Sequence, residues 1–165
     1  MDSATAILIG AALATFGWVY TGRRGRTLAK KQHTITVMMK ANFDQQFLAD
    51  RSAVSDYIKG DKKLPKNILT APSHADKRAS LRRVINHYEF VAAGLRNGDF
   101  DERLVKDSER GVFILVYSNL KDYIWSLRDS RERMTIYEHL EWLYTRWEES
   151  PPSAFWRFVE WIKGT

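Results

Sequence analysis

The side chains best placed for chemistry in this 165-residue sequence form a polar group in one helical stretch. Asn86 and Glu89 are three residues apart and share a helix face, and Arg96 lies two turns beyond Glu89. Catalysis would need a second convergent group and a pocket, and the sequence indicates neither. A buried polar network between helices is the favoured interpretation, because partly buried charges need partners. A ligand-binding cluster is the alternative.

Other reactive residue types are scattered or absent. The four histidines form no metal-binding pair on a helix, and His87 and Glu89, two residues apart, point to different faces. The sequence has no cysteine, which excludes disulfides, thiolate metal sites and cysteine nucleophiles. It has no glycine-rich phosphate loop, nucleophile elbow or paired-carboxylate signature. We therefore predict no catalytic, metal or cofactor site and a protein that is not an enzyme.

The N-terminal run from Ala4 to Tyr20 carries no charge and could anchor the rest of the chain to a membrane. At 1.5 Å per residue it spans roughly 25 Å, near the lower end of what crosses a bilayer core. Aromatic residues at its end and basic residues after it are typical of a membrane interface whose basic side is cytoplasmic. We predict a single transmembrane helix with the N-terminus outside; a cleaved signal peptide and a buried core helix are the alternatives. The predicted interface residues are Trp18, Tyr20, Arg23, Arg24, Arg26, Lys30 and Lys31.

The predicted span also carries small residues in register. Ala6, Gly10 and Ala14 lie four residues apart on one face. Small residues at this spacing let helix backbones approach closely, so they indicate a face for homo-oligomerisation. The same pattern also arises by chance in alanine-rich spans. Gly22 and Gly25 are expected to loosen the helix where it leaves the membrane.

The rest of the chain predicts an all-α domain. A helix is expected to begin at Asn42 or Asp44 and to end at Gly60, and a second, with a long apolar stripe, to end at Asn97-Gly98. We expect a short helix after Asp99 or Asp101, a separate longer one and another opening at Ser130; the apolar run 111–117 is read as helix rather than strand. The predicted divisions are a membrane anchor (1–22), a basic juxtamembrane region with the first cytoplasmic helices (23–59), a linker (60–75), a helical core (76–150) and a tryptophan-rich C-terminal helix (151–165).

The basic residues point to an anionic partner. The net charge is +6, and the excess of basic over acidic residues lies between Arg23 and Arg83. Membrane lipid is the simplest partner for a basic region beside a span, and nucleic acid is the less favoured one. A cluster at the start of the striped helix is read as a solvated face, with phosphate or headgroup contact as the alternative; it consists of Lys77, Arg78, Arg82 and Arg83.

The C-terminal segment is the strongest candidate for binding a protein partner. Its aromatic residues follow a Pro-Pro break and lie close together on a short amphipathic stretch. They could pack on the domain, lie in the membrane interface or enter a partner's groove. The candidate residues are Phe155, Trp156, Phe158 and Trp161.

Two stretches resemble a known family. VINHYEFVAAGLRNGDFDE (84–102) and EHLEWLYTRWE (138–148) are similar to the bacterial family called domain of unknown function 4760, over roughly residues 31–149. Members of that family typically carry an N-terminal membrane span and a cytoplasmic helical domain, but the family brings no established activity. The residues that resemble its motifs are Asn86, Tyr88, Glu89, Gly94, Arg96, Gly98, Asp101, Glu102, Glu141, Trp142, Leu143, Arg146 and Trp147.

These observations predict a single-pass protein of the bacterial inner membrane whose cytoplasmic helical domain recruits or senses an unknown protein partner. Small bacterial proteins of this build occur in phage-related settings such as exclusion or defence, which we take as an analogy. Two alternatives belong to other classes. One is a membrane-tethered domain that binds nucleic acid or a nucleotide, and the other is a membrane-disrupting effector whose span oligomerises.

Overall fold

The computed structural model describes residues 2–148 of the chain, and the side chains of residue 2 and residues 10–148. All regular elements in this part of the chain are helical, so the all-α prediction is confirmed. They are α1 (Ser3–Phe43), α2 (Gln45–Lys59), a single 3₁₀ turn (Pro72–His74), α3 (Ala75–Asn97), α4 (Glu102–Arg131) and α5 (Glu138–Glu148).

The boundaries of α2 and α3 follow local capping rules. Asp44 caps α2, because its carboxylate accepts the backbone N–H groups of Gln46 and Phe47 at 2.9 and 3.1 Å. Gly60 and Gly98 end α2 and α3 in the left-handed region, at φ 83° and 81°, where a side chain would be strained. The predicted start at Asp44 and both glycine ends are confirmed.

The core lies between α2, α3, α4 and α5. The stripe predicted on α3 faces it, and each of its members is buried: Leu81, Val84, Ile85, Tyr88, Val91, Ala92 and Leu95. Phe113, Leu140 and Trp147 are fully buried opposite this stripe, and Phe113 packs edge-on against both Tyr88 and Trp147. Burial of this apolar stripe against the other helices is the main interaction that stabilises α3.

α4 is one helix, so the prediction of a short helix followed by a separate longer one was wrong. Asp101 does cap its start, accepting the Leu104 N–H at 3.1 Å. The helix then continues through Gly111 to Arg131, because residues 106–111 contain no proline and a single helical glycine costs only about 1 kcal/mol. The run 111–117 lies inside α4, which confirms that it is helical.

The predicted helix start at Ser130 was also wrong. Ser130 lies in the last turn of α4, and its hydroxyl donates back to the Leu127 carbonyl at 3.0 Å. α4 ends at Arg131; the next residue, Glu132, has a φ of 54°, and the Arg133 N–H bonds to the Arg128 carbonyl at 3.1 Å. α5 therefore begins later, at Glu138.

α1 is continuous through Gly22 and Gly25, so the expected loosening there does not occur. Its C-terminal part packs on the domain, where the buried Thr34 hydroxyl accepts the Asp101 N–H at 2.8 Å. Every residue from Gly10 to Ala29 is exposed, so this half of α1 projects from the bundle. Within the described residues, no helix combines the length and apolar character that crossing a membrane requires, so the transmembrane part of the predicted fold stays a prediction.

The segment 60–75 joins α2 to α3 and touches the core. Ile68 is buried, and Arg78 donates to the carbonyls of Ile68 and Ala71 at 3.0 and 2.6 Å. Arg78, a residue of α3, thus holds the middle of the segment 60–75 against the bundle.

Candidate interaction surfaces

Asn86 and Glu89, from the family motif, fix the start of α5. Glu89 accepts two backbone N–H groups from the first turn of α5, those of Leu140 at 2.7 Å and His139 at 3.2 Å. These N–H groups have no partner within their own helix, and a carboxylate at this end is favoured by the helix dipole. Asn86 accepts the hydroxyl of Tyr137 at 3.0 Å, one residue before α5. Together the two side chains act as a cap supplied from α3.

Arg96 and Arg146 both lie near the ring of one tryptophan of α5. Their guanidinium carbons are 5.8 and 5.7 Å from the centre of the Trp142 ring, a distance typical of cation–π contact. Arg96 also lies 3.1 Å from His139 Nδ1. Arg146 donates to both carboxylate oxygens of Glu102, at 2.7 and 3.0 Å, and lowers the pKa of that carboxyl. The end of α5 is thereby tied to the start of α4.

Glu141 joins α5 to the middle of α4. It accepts the Tyr117 hydroxyl at 2.6 Å and an Arg128 N–H at 2.8 Å. Burial by itself would raise the pKa of Glu141, but these two hydrogen bonds and the positive charges of Arg128 and Lys121 together lower it. Arg128 is only 2% exposed, donates to the Ile136 carbonyl at 2.9 Å and lies over the Trp125 ring. Within the described residues, the Nη2 atom of Arg128 is buried without a hydrogen-bond partner.

The structure thus brings Asn86, Glu89 and Arg96 to α5, whereas Tyr88 points into the core. No group of three or more metal-binding side chains gathers in the part of the chain that the structure describes. Two of the histidines make ring contacts. His33 stacks on Phe100, with ring centres 5.3 Å apart, and the ring centres of His87 and Phe47 are 4.5 Å apart. The geometry of the motif residues is that of helix docking.

The basic cluster of α3 is largely engaged within the domain. Lys77 donates to the Tyr57 hydroxyl at 3.0 Å, and Arg78 holds the connection before α3. Arg83 donates to both oxygens of the buried Asp50, which also accepts the Ser80 hydroxyl at 2.7 Å. These contacts hold the pKa of Asp50 well below its ordinary value. Three of the four cations therefore bind groups of this chain.

The predicted membrane-interface residues follow one another along the projecting half of α1. Trp18, Tyr20 and the three arginines after them are exposed, and the Tyr20 hydroxyl accepts from Arg24 at 3.4 Å. Lys30 is half-buried and lines a cavity, whereas Lys31 is exposed. Gly10 and Ala14 are exposed on one face, and the Ala6 side chain lies outside the described residues. The partner-binding candidates Phe155, Trp156, Phe158 and Trp161 also lie outside them.

A groove between α1 and α3 was not predicted. Two cavities open along it, of about 440 and 310 Å³. Phe90 lines both of them and is 58% exposed. A signal for this site exists in the sequence, because Phe90 is a large aromatic residue that lies off the apolar stripe of α3. The remaining lining of the two cavities comes from Ala29, Lys30, His33, Val37, Lys40, Ala41, Asp44, Phe47, His87, Ala93, Gly94, Asn97, Asp99 and Phe100.

Fold and surfaces together define a small all-α protein in which one long helix projects from a helical bundle. The bundle has an apolar core, and polar contacts from α3 and α4 fix α5, its last described helix. The chain belongs to the family described as Domain of unknown function (DUF4760), whose model matches residues 4–147. The suspected family is confirmed, and the match extends further toward the N-terminus than the motifs that indicated it, so that it includes α1. No curated protein and no solved structure matches the chain.

Proposed function

We propose that this protein is a membrane-tethered binding protein: the N-terminal half of α1 holds it at the bacterial inner membrane, and its helical domain binds a protein partner on the cytoplasmic side. The supporting observation is the exposure of α1. Leu13, Phe16 and Trp18 are 69–79% exposed, and several large apolar side chains this exposed on one helical segment are typical of a membrane or protein interface. The predicted span begins at Ala4, so it includes residues 4–9, whose side chains lie outside the described part.

Cell fractionation tests the tether. The full chain should remain with membranes after an alkaline carbonate wash, whereas a Leu13→Glu/Phe16→Glu variant should move to the soluble fraction, because charge in an apolar layer is costly. A Leu115→Glu/Met134→Glu variant is the matched control, since both side chains are exposed on the domain. A full chain that is soluble from the start would contradict the proposal, and so would a double-Glu variant that stays bound.

The groove beside Phe90 is the proposed place for the protein partner. An exposed aromatic side chain flanked by two cavities is the kind of anchor that dominates protein interfaces. Crosslinking and capture from native membranes should recover a protein with the full chain and with Leu115→Ser, and lose it with Phe90→Ser. A chain lacking residues 1–21 shows whether capture also needs the tether. Recovery of nucleic acid in place of protein would refute the proposal.

The other function classes have less support. A nucleic-acid site would use the basic region from Arg23 to Arg83, and three of the four cations in the α3 part of that region bind groups within the domain. Binding that weakens steeply with salt would favour that alternative. Toxicity that is lost on Gly10→Ile would favour a membrane-disrupting effector. A phage-exclusion or defence setting stays a prediction.

A further inference from the structure

The groove between α1 and α3 has the length of a short helix and an aromatic lining. On α1 its lining extends from Ala29 to Asp44, which is roughly 22 Å at 1.5 Å per residue. Phe100 lines one end of it and Phe47 lines the other. Phe90 lies between the two cavities and is 58% exposed, so the groove offers a large aromatic side chain that no residue of the described chain covers.

The described chain ends close to this groove. In the last turn of α5, the side chains of Arg146 and Trp147 both donate to the Glu102 carboxylate, at 2.7 and 3.1 Å. Glu102 follows Phe100 by two residues, and the backbone N–H of the residue between them donates to Thr34 of α1. The end of α5 therefore lies next to the end of the groove that Phe100 lines.

The C-terminal segment, residues 149–165, lies outside the described residues, and its sequence suits the groove in length. Pro151 and Pro152 favour extended backbone, in which residues 149–153 would reach about 15 Å at 3.1 Å per residue. This is enough to lead the chain from the end of α5 into the groove. The residues from Ser153 to Ile162 would then cover roughly 14 Å as a helix, which is shorter than the groove.

The apolar pattern of the same segment suits the lining. At helical spacing Phe155, Phe158, Val159 and Ile162 share one face. Because the cavities open on either side of Phe90, the two ends of this face can each enter a cavity while its middle covers the Phe90 ring. Docking would thus remove apolar surface from water on both sides, which is the dominant favourable term in helix packing.

We propose that residues 153–162 dock as a helix in the groove between α1 and α3 of their own chain. The segment enters beside Phe100, and its last residues lie near Ala41. This goes beyond the proposed function, because the docking requires neither a membrane nor a partner. A protein partner that binds at Phe90 must displace the segment first, so the C-terminal segment is an internal competitor for the groove.

Disulfide formation between pairs of introduced cysteines tests the docking in the purified full chain, which has no cysteine of its own. Ala41→Cys/Gly164→Cys should close within one chain at least about tenfold faster than Ala29→Cys/Gly164→Cys. The reason is that a disulfide needs Cβ atoms about 4 Å apart, whereas the two alanines are roughly 18 Å apart along α1. Ser126→Cys/Gly164→Cys should be as slow as the second pair, since Ser126 is exposed on α4 outside the groove.

A further variant shows whether the contact uses the groove. Phe90→Ser, added to the Ala41→Cys/Gly164→Cys pair, should slow closure to the rate of the two control pairs. Because Phe90 is exposed, its replacement should leave the melting temperature of the domain unchanged. Closure that stays fast without Phe90 would show that the segment lies elsewhere and would overturn the proposal.

Three other outcomes would also overturn it. Equal rates for all three pairs would show that the segment does not dock. Faster closure with Ala29→Cys would show that the segment does not run along the groove toward Ala41. Disulfides that link two chains would show docking on a second copy. These rates are measured in mild detergent without a partner, so failure of the docking is distinguishable from failure of membrane binding or of partner capture.

Discussion

Gly94 and Gly111 are interior helix glycines that should respond oppositely to substitution by alanine. A methyl group added to Gly94, in α3, would come well within 3.0 Å of the Phe100 ring carbons Cε2 and Cδ2. One added to Gly111, in α4, would meet no atom within 4 Å. Contacts below 3.0 Å are not tolerated, so the Phe100 ring must move in the first variant and nothing must move in the second.

The expected magnitudes follow from two competing terms. Alanine is favoured over glycine inside a helix by about 1 kcal/mol, so Gly111→Ala should stabilise the fold by about that amount. At Gly94 the same gain is opposed by displacement of Phe100, which is buried and packs against His33 and Phe90. Overpacking of this kind costs about 1–3 kcal/mol, and loss of a whole buried ring about 3–5 kcal/mol. We expect Gly94→Ala to destabilise the fold by about 1–2 kcal/mol net.

Thermal and urea unfolding of the full chain, followed by far-UV circular dichroism in one mild detergent, measures both effects. At about 2–4 °C per kcal/mol for a chain of this size, Gly111→Ala should raise the Tm by about 2–4 °C and Gly94→Ala should lower it by about 2–8 °C. Phe100→Leu should cost less beside Gly94→Ala than it does alone, because the smaller side chain relieves the clash. If Gly94→Ala is as stabilising as Gly111→Ala, the close approach of Phe100 to α3 is wrong.

The remaining predictions concern the polar contacts that join the helices. Glu89→Ala should reduce the free energy of unfolding by about 2 kcal/mol, because two N–H groups at the start of α5 lose their acceptor, and should speed amide hydrogen exchange at His139 and Leu140. The loss of unfolding free energy in Glu89→Gln should be smaller than in Glu89→Ala, since one acceptor oxygen remains. Asp50→Asn should cost about 2 kcal/mol at pH 7. Because its folded pKa lies below the unfolded value, Asp50 stabilises the fold above about pH 4, and this contribution disappears as the pH falls through the folded pKa. The variant should therefore lose less stability than the unchanged chain between about pH 5 and pH 2.

Two results would contradict these expectations. Exchange at the start of α5 that is unchanged in Glu89→Ala would mean that the cap from α3 does not hold that helix. An acid unfolding curve that Asp50→Asn leaves unaltered would mean that the contact with Arg83 does not stabilise the fold.

The sequence by itself determined those features that depend on a few neighbouring residues. The Asp44 cap, the glycine ends of α2 and α3 and the apolar stripe of α3 are set by backbone hydrogen bonding and helical period within about two turns. The family was also recognisable, because its motifs are continuous stretches of the chain. The polar residues of those motifs could be named, but their partners could not.

Only the tertiary structure decided which distant groups meet. Glu89 caps a helix about fifty positions away, and α5 begins at Glu138 rather than at Ser130, because the acceptor for its first turn comes from α3. From the sequence, the basic cluster of α3 was interpreted as a solvated face, whereas in the folded structure Arg83 donates to the buried Asp50. Phe90 and residues 10–29 of α1 remain exposed for the same reason. A helical period shows that residues share a face, whereas the packing of the other helices decides whether that face is covered.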